Sequence, residues 1–456
     1  MVTMAMRKPN GKIMGNRMLQ LFGLMLLLLA STGVQAQLSR QCVPEPVFTG
    51  RVCFHESNTD ASPTVVLVHG LGGSADDWGA QIPLLAGRYH VLAIDLPGFG
   101  HSDGGSKHYT PENYAAVLHH LIQQRARAPV LLVGHSLGGA VALNYAALHP
   151  ETVSRLVVVD VAGILHRLAY NKFLVGRWLQ GDNTASRWSS EWLQSFAGKF
   201  LEGAESYPVD SEDVLSAPHG VAAERNIAAM ALLETDFAPL LSQVTSPVLI
   251  LWGQEDRIAP LRTAEVLLHR LPRAWLEIID GAGHVPMSEQ PDEFNRRLLA
   301  SLDGALPSPP LVRASEGDAE RIGRCERQRN VRFSGRYRRI ELHHCSDVII
   351  ADAELDELYV FESRVLIERS RIGGSGLAVD AIGSDVKMTA VDVHGDVALR
   401  VARSRLDLAA VDLDGREAAV MAVSNSKAVF SLCRVNSPQR TGDLHGYYVL
   451  TPQSPL

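Results

Sequence analysis

The chain has 456 residues, with 43 Lys and Arg against 50 Asp and Glu and a formal net charge of −7. That length is more than one ordinary domain needs, and an apolar share of 46% is enough for packed cores, which excludes disordered and fibrous classes. The acidic balance disfavours a general nucleic-acid binder, so no nucleic-acid partner is expected.

Residues 1–17 carry Arg7, Lys8, Lys12 and Arg17 without an acid, residues 19–30 are apolar, and Val34-Gln35-Ala36 fits an A-x-A-like cleavage site. The pattern predicts a secretory signal peptide over residues 1–36, cut before Gln37. The alternative is an uncleaved membrane anchor, but the apolar run falls well short of the ~20 residues a spanning helix needs. Such a signal directs the mature chain to the periplasm or the exterior, and removal of its four cations takes the formal charge from −7 to −11. Five cysteines fit that oxidising compartment. Cys42 and Cys53 flank a short segment that suits a hairpin, so a local disulfide is expected there, with two buried thiols as the alternative.

Near-continuous apolar runs then recur, separated by helical stretches: residues 65–68, 90–94, 128–133, 156–159, 247–252 and 274–279. Strands of this composition are covered on both faces, which predicts an α/β fold with a mostly parallel sheet. Ligands of such sheets bind at the carboxyl ends of the strands. Gly70-Leu71, Ser136, Asp256 and His284 each lie just past such an end. Gly134-His135-Ser136-Leu137-Gly138 joins a strand to a small-residue helix. The glycines permit the sharp turn that exposes a serine as nucleophile.

Over residues 40–303 the chain resembles the α/β-hydrolase family. The matching motifs are His69-Gly70-Leu71-Gly72-Gly73, the run from Asp95 to Ser102, the serine corner, the run from Gly253 to Pro260, and Gly281-Ala282-Gly283-His284. The resemblance implies Ser136 as nucleophile, His284 as general base and then acid, and Asp256 to orient the imidazole. The residue chemistry agrees: a serine hydroxyl needs a base, and the base needs a carboxylate on its other nitrogen. The oxyanion hole is expected at the backbone N–H groups of Leu71 and Leu137. Asp160, at the end of residues 156–159, is the rival to Asp256, which sits in the better-matched motif. His135 is expected to point away from the site and His69 to order its loop. Asp95, Ser102 and Asp103 read as loop-building residues. No cofactor and no metal are expected.

Residues 163–241 form the expected helical cap, holding Phe173, Trp178, Trp188, Trp192, Phe196 and Phe200. Such content favours an apolar acyl or aryl substrate, although aromatics at helical spacing are more often core.

After residue 303, the Pro-rich linker 304–314 leads into a second domain, 315–456. Ser346, Ser363, Ser384, Ser404 and Ser426 recur 17 to 22 residues apart, each before a strand-like run. The columns that follow are apolar: Val348, Val365, Val386, Leu406, Ala428; then Ile350, Ile367, Met388, Leu408, Phe430; then, after a phase shift, Ala353, Ser370, Val391, Val411, Cys433 and Leu355, Ile372, Val393, Leu413, Val435. A further side pairs Leu377, Val397, Ala419 and Val379, Leu399, Met421. Strand, corner and strand repeating in this way predicts an all-β parallel β-helix-like domain, a β-solenoid; a β-sandwich with accidental periodicity is the alternative. Cys433 then falls inward as a buried thiol, and Cys325 with Cys345 is a candidate bridge. The arginines between 321 and 339 read as a solvated face or, more sharply, as an anion site. The Gly373-Gly374-Ser375-Gly376 run does not match a calcium repeat.

The reading is a secreted or periplasmic serine hydrolase that cleaves carboxylic esters through an acyl-Ser136 intermediate, with a small-molecule ester as its partner and a glycan, lipid or protein ligand for the solenoid. The same residues serve thioesters and C–C bond hydrolysis. The reading from another class is a non-catalytic binding protein whose solenoid carries the function.

Overall fold

The computed structural model describes residues 39–105, 107–170, 221–305, 320–453 and 456. The expected signal peptide, residues 306–314 of the linker and the six cap aromatics lie outside the described residues. Arg40–Leu456 is one compact unit.

Its first part is an eight-stranded sheet: β1 (Ser39–Pro44), β2 (Arg51–Ser57), β3 (Thr64–Val68), β4 (His90–Asp95), β5 (Val130–His135), β6 (Val153–Val159), β7 (Val248–Gly253) and β8 (Ala274–Ile279), in the order β1-β2-β4-β3-β5-β6-β7-β8. Strands β3 to β8 are mutually parallel, and β2 runs antiparallel to β4. Val65–Val68, Val91–Ile94 and Val157–Val159 are fully buried, the double-faced covering that the apolar runs require. The described helices are α1 (Gln81–Ala86), α2 (Pro111–Arg125), α3 (Leu137–Leu148), α4 (Val221–Glu234), α5 (Ala238–Leu241), α6 (Arg262–Arg270), α7 (Pro286–Glu289) and α8 (Pro291–Leu302). The chain leaves β3 for β4 on one side and returns to β5 on the other, so the sheet's switch point lies between the ends of β3 and β5. A crevice opens at such a point.

Among the described residues, the second part is a nine-stranded all-β region: β9 (Ile322–Glu326), β10 (Arg332–His343), β11 (Val348–Phe361), β12 (Arg364–Gly373), β13 (Leu377–Ile382), β14 (Asp385–Ala402), β15 (Arg405–Ala422), β16 (Ser426–Asn436) and β17 (Thr441–Leu450). All pairings are parallel except β16 with β17. Val348 pairs with Val365, Val365 with Val386, Val386 with Leu406 and Leu406 with Ala428, and the column from Ile350 to Phe430 pairs in step. Both columns are buried. Between the second and third columns Asp352, Arg369, Ala390, Ala410 and Leu432 all have positive φ, between 44° and 53°. This is the corner that the phase shift demands.

The further side departs from expectation in both of its columns. Val397 pairs with Ala418 and Leu399 with Val420, because a bulge after Gly395 absorbs one residue. Met421 is therefore 36% exposed, and not inward as the repeat predicts. Disulfides join Cys42 to Cys53 and Cys325 to Cys345, and Cys433 is a buried free thiol. Burial pushes that thiol up to about 11. Arg324, Arg329, Arg338 and Arg339 meet acids, with Arg339 2.7 Å from Glu357 and Arg324 3.2 Å from Glu341, which fits the solvated face.

The recurring serines bond to one another. Ser363 N–H donates to Ser384 Oγ, Ser384 N–H to Ser404 Oγ and Ser404 N–H to Ser426 Oγ, each at 3.1 Å. Each hydroxyl in turn donates to the carbonyl two residues back. Helix α6 locks the two parts together. Arg262 is 9% exposed and donates to Thr389 Oγ1, Met388 O, Asp407 O and Asp407 Oδ1, and Arg270 reaches Leu432 O and Asp412. Ala409, Ala410, Val429 and Leu432 are buried in the same apolar cluster as the first sheet.

Ser404→Ala leaves the buried Ser384 N–H without an acceptor and should cost about 1–3 kcal/mol in urea unfolding. Arg262→Ala strands Asp407 and should cost about 3 kcal/mol by the same measurement, whereas alanine at the exposed Arg405 should change the midpoint little.

Candidate active site

Strand β5 ends at His135, and Ser136 follows with φ 51° and ψ −115°. An L-residue holds such a backbone only under outside constraint. A Cβ on Gly134 would collide with the first turn of α3 at Gly138, so glycine is what lets strand and helix approach. The Ser136 N–H donates to Val159 O at 2.9 Å, and its carbonyl accepts from Gly139 and Ala140. The hydroxyl makes no helix cap and faces the loop between β8 and α7.

That loop carries His284. Its Nε2 lies 3.0 Å from Ser136 Oγ and its Nδ1 2.8 Å from Asp256 Oδ2. Asp256 follows β7, and its Oδ1 accepts the N–H groups of Ile258 at 2.7 Å and Ala259 at 3.0 Å. Ser136 and Asp256 are 6% and 7% exposed. With Nδ1–H given to the carboxylate, Nε2 presents its lone pair to the serine hydroxyl. The arrangement can take a proton from Ser136 and return it to a leaving group.

Leu137 opens α3, so its N–H has no partner within the helix. Leu71 occupies the second position of a turn closed by Gly73 N–H to Gly70 O at 3.1 Å, with Gly72 at φ 75°. A Cβ on Gly70 would lie 3.1 Å from Ser136 Cβ, so this turn abuts the serine. The turn that carries Leu71 and the first residue of α3 therefore lie beside Ser136 across the switch point.

His69 orders its loop as expected: Nδ1–H donates to Gly70 O and Nε2 accepts Leu96 N–H. Asp95 accepts from Ala75 and His101 N–H, Ser102 donates to Asp95 O, and Asp103 pairs with Arg51. His135 departs from expectation. It does not point away: Nε2–H donates to His284 O at 2.7 Å, because the corner at Ser136 ends the strand alternation beneath the His284 loop. Burial, then the charge of His284, lowers His135 to about 3. Sequence reasoning missed Glu289, whose carboxylate accepts Gly283 and Val285 N–H on either side of His284. It carried no motif signal beyond lying five residues downstream.

Asp160, the rival acid, does not reach His284 as a hydrogen-bond partner. It is fully buried, and its Oδ1 accepts Gly253 N–H at 2.9 Å. Asp160, Asp256 and His284 bring one donor atom each to within 4.8 Å of one another, as do His269, Asp392 and Asp412. Arg270 and Arg371 already face the carboxylates of the second group.

The family model described as Alpha/beta hydrolase family matches residues 65–297. An uncharacterized hydrolase of Bacillus subtilis, YugF, is 28% identical over 54% of this chain and 92% of its own. Lipase 1 of Psychrobacter immobilis is 29% identical over 53% and 78%. Among solved structures, an esterase from Thermogutta terrifontis is 23% identical with a TM-score of 0.45, covering 59% of this chain and 99% of its own.

Burial and the neighbouring His445 and Arg167 charges lower His166 to about 4, against an unfolded value of about 6.5. The stability this neutral ring contributes is present above pH ~6.5 and is lost as the pH falls toward 4, because the unfolded chain then binds the extra proton. His166→Gln should make stability fall less steeply over that window, measured by urea midpoints from pH 7 to pH 4.

Proposed function

The chain belongs to the alpha/beta hydrolase family, and from that membership we propose that it is a secreted or periplasmic serine hydrolase acting on carboxylic esters. The observation that carries this reading is the hydrogen-bond chain from Ser136 through His284 to Asp256. In the proposed cycle, Ser136 Oγ attacks the ester carbonyl while its proton passes to His284 Nε2. The carbonyl oxygen takes up negative charge against the N–H groups of Leu71 and Leu137, each worth roughly 3 kcal/mol. The positive end of α3 adds to that stabilisation. The intermediate collapses to acyl-Ser136, and His284 gives its proton to the departing alcohol. Water then attacks the acyl group by the same route, releasing the acid and restoring the serine.

The apolar content of residues 163–241 supports an acyl or aryl substrate. The N-terminal pattern and two disulfides support export. We read the all-β region as a parallel β-solenoid, supported by the stepwise parallel registers and the column of left-handed corners. Its proposed role is to bind a glycan, lipid or protein partner, with no nucleic acid involved.

The test is hydrolysis of p-nitrophenyl esters from acetyl to palmitoyl. Ser136→Ala should lower kcat on the order of 10⁴-fold or more. Absence of turnover on every ester by the intact chain would overturn the ester reading and leave C–C bond or thioester hydrolysis.

A further inference from the structure

Asp160 immediately follows β6, and its N–H donates to Leu251 O on the neighbouring β7 at 3.1 Å. That anchor and its φ of 44° turn the side chain toward the Asp256 loop. Its two oxygens fare differently. Oδ1 accepts Gly253 N–H, whereas Oδ2 is buried and receives no N–H or O–H donor. The group beside it is the Asp256 carboxyl. Two ionised carboxylates are both acceptors and repel, so in a buried site one of them keeps a proton. Asp256 is the better anion. It receives three donors, from Ile258, Ala259 and His284, against one for Asp160. Among the described residues, no Lys or Arg forms an ion pair with either.

We infer that Asp160 is a positioning residue: it carries the proton of an Asp160–Asp256 carboxyl pair and donates it to Asp256, which stays ionised and aimed at His284. The inference rests on the hydrolytic reading of Ser136, His284 and Asp256 given above. It removes the orphaned oxygen, since a protonated carboxyl is a donor. It also keeps the charge behind the imidazole at one unit, as in a site with a single acid. Burial first, and the Asp256 charge second, hold Asp160 well above the usual carboxylate range, in the same direction.

The experiment uses the full chain labelled with ¹³C at aspartate carboxyls. At pH 7 the wild-type spectrum should contain one protonated aspartic carboxyl, and Asp160→Asn should lack it. This readout needs no turnover. In ester hydrolysis, Asp160→Asn retains an N–H donor toward Asp256 and should lose about tenfold in kcat, while Asp160→Ala, with no donor, should lose about a hundredfold. KM should hold in both. The acid limb of the kcat/KM profile should stay in place in Asp160→Asn, because the pair's charge is unchanged. Three results would each overturn the inference. They are no protonated aspartate in the wild type at pH 7, an acid limb moved to lower pH in Asp160→Asn, or a loss there as deep as that of Asp256→Asn. If the protonated signal is present but no ester is turned over, the hydrolytic reading fails and the proton assignment stands. If Asp160→Asn does not fold, the wild-type spectrum alone decides.

Discussion

A serine held at φ 51° between a strand and a helix is the constraint on which the first half of the molecule turns. The conformation is costly, on the order of 1–3 kcal/mol, and persists only because its surroundings leave no other. Val159 O holds the serine N–H, α3 takes its carbonyl, and a bare Gly134 admits the helix against the strand. Everything at the strand ends is arranged around the hydroxyl that this corner presents. His135 and Glu289 fix the backbone around His284. Backbone N–H groups fix Asp256. Few of these contacts touch a reacting atom, yet together they hold the hydrogen-bond chain in one geometry.

The all-β region is held by a different economy of contacts. Each strand in the stack buries little by itself, and the shared columns from Val348 to Ala428 and from Ile350 to Phe430 supply the core. The serines add a line of hydrogen bonds at the turns that precede the first column, where the turning backbone would otherwise leave N–H groups buried without partners. Because α6 plants Arg262 and Arg270 in the strand corners, the two parts share an interface that resembles an interior more than a contact between separate modules.

What the sequence made legible follows from how far apart the determinants lie. The serine corner and the repeat columns are local patterns, and the columns from Val348 to Ala428 and from Ile350 to Phe430 reappear in the registers. Met421 escaped because a one-residue bulge shifts phase without changing composition. His135 escaped because strand alternation stops at a left-handed residue. The closeness of Asp160 to Asp256, and the reach of Arg262 to Asp407, join residues 96 and 145 positions apart, and no periodicity encodes them. The serine spacing was visible while its purpose was not, since a hydroxyl before a strand serves as readily for a turn as for a ladder.

A sheet of parallel strands has two edges, and each is a template on which another chain could build. Here the ends are treated unlike one another. At the first, the short β9 is tied by Cys325 to Cys345. At the last, the chain reverses and β17 lies antiparallel on β16. An added parallel strand would therefore meet a neighbour running the wrong way, at the edge where Tyr447 and Val449 are 45% and 55% exposed. Reversal of a single strand thus ends the parallel run at this edge, so the sheet offers two unlike edges to any strand that would extend it.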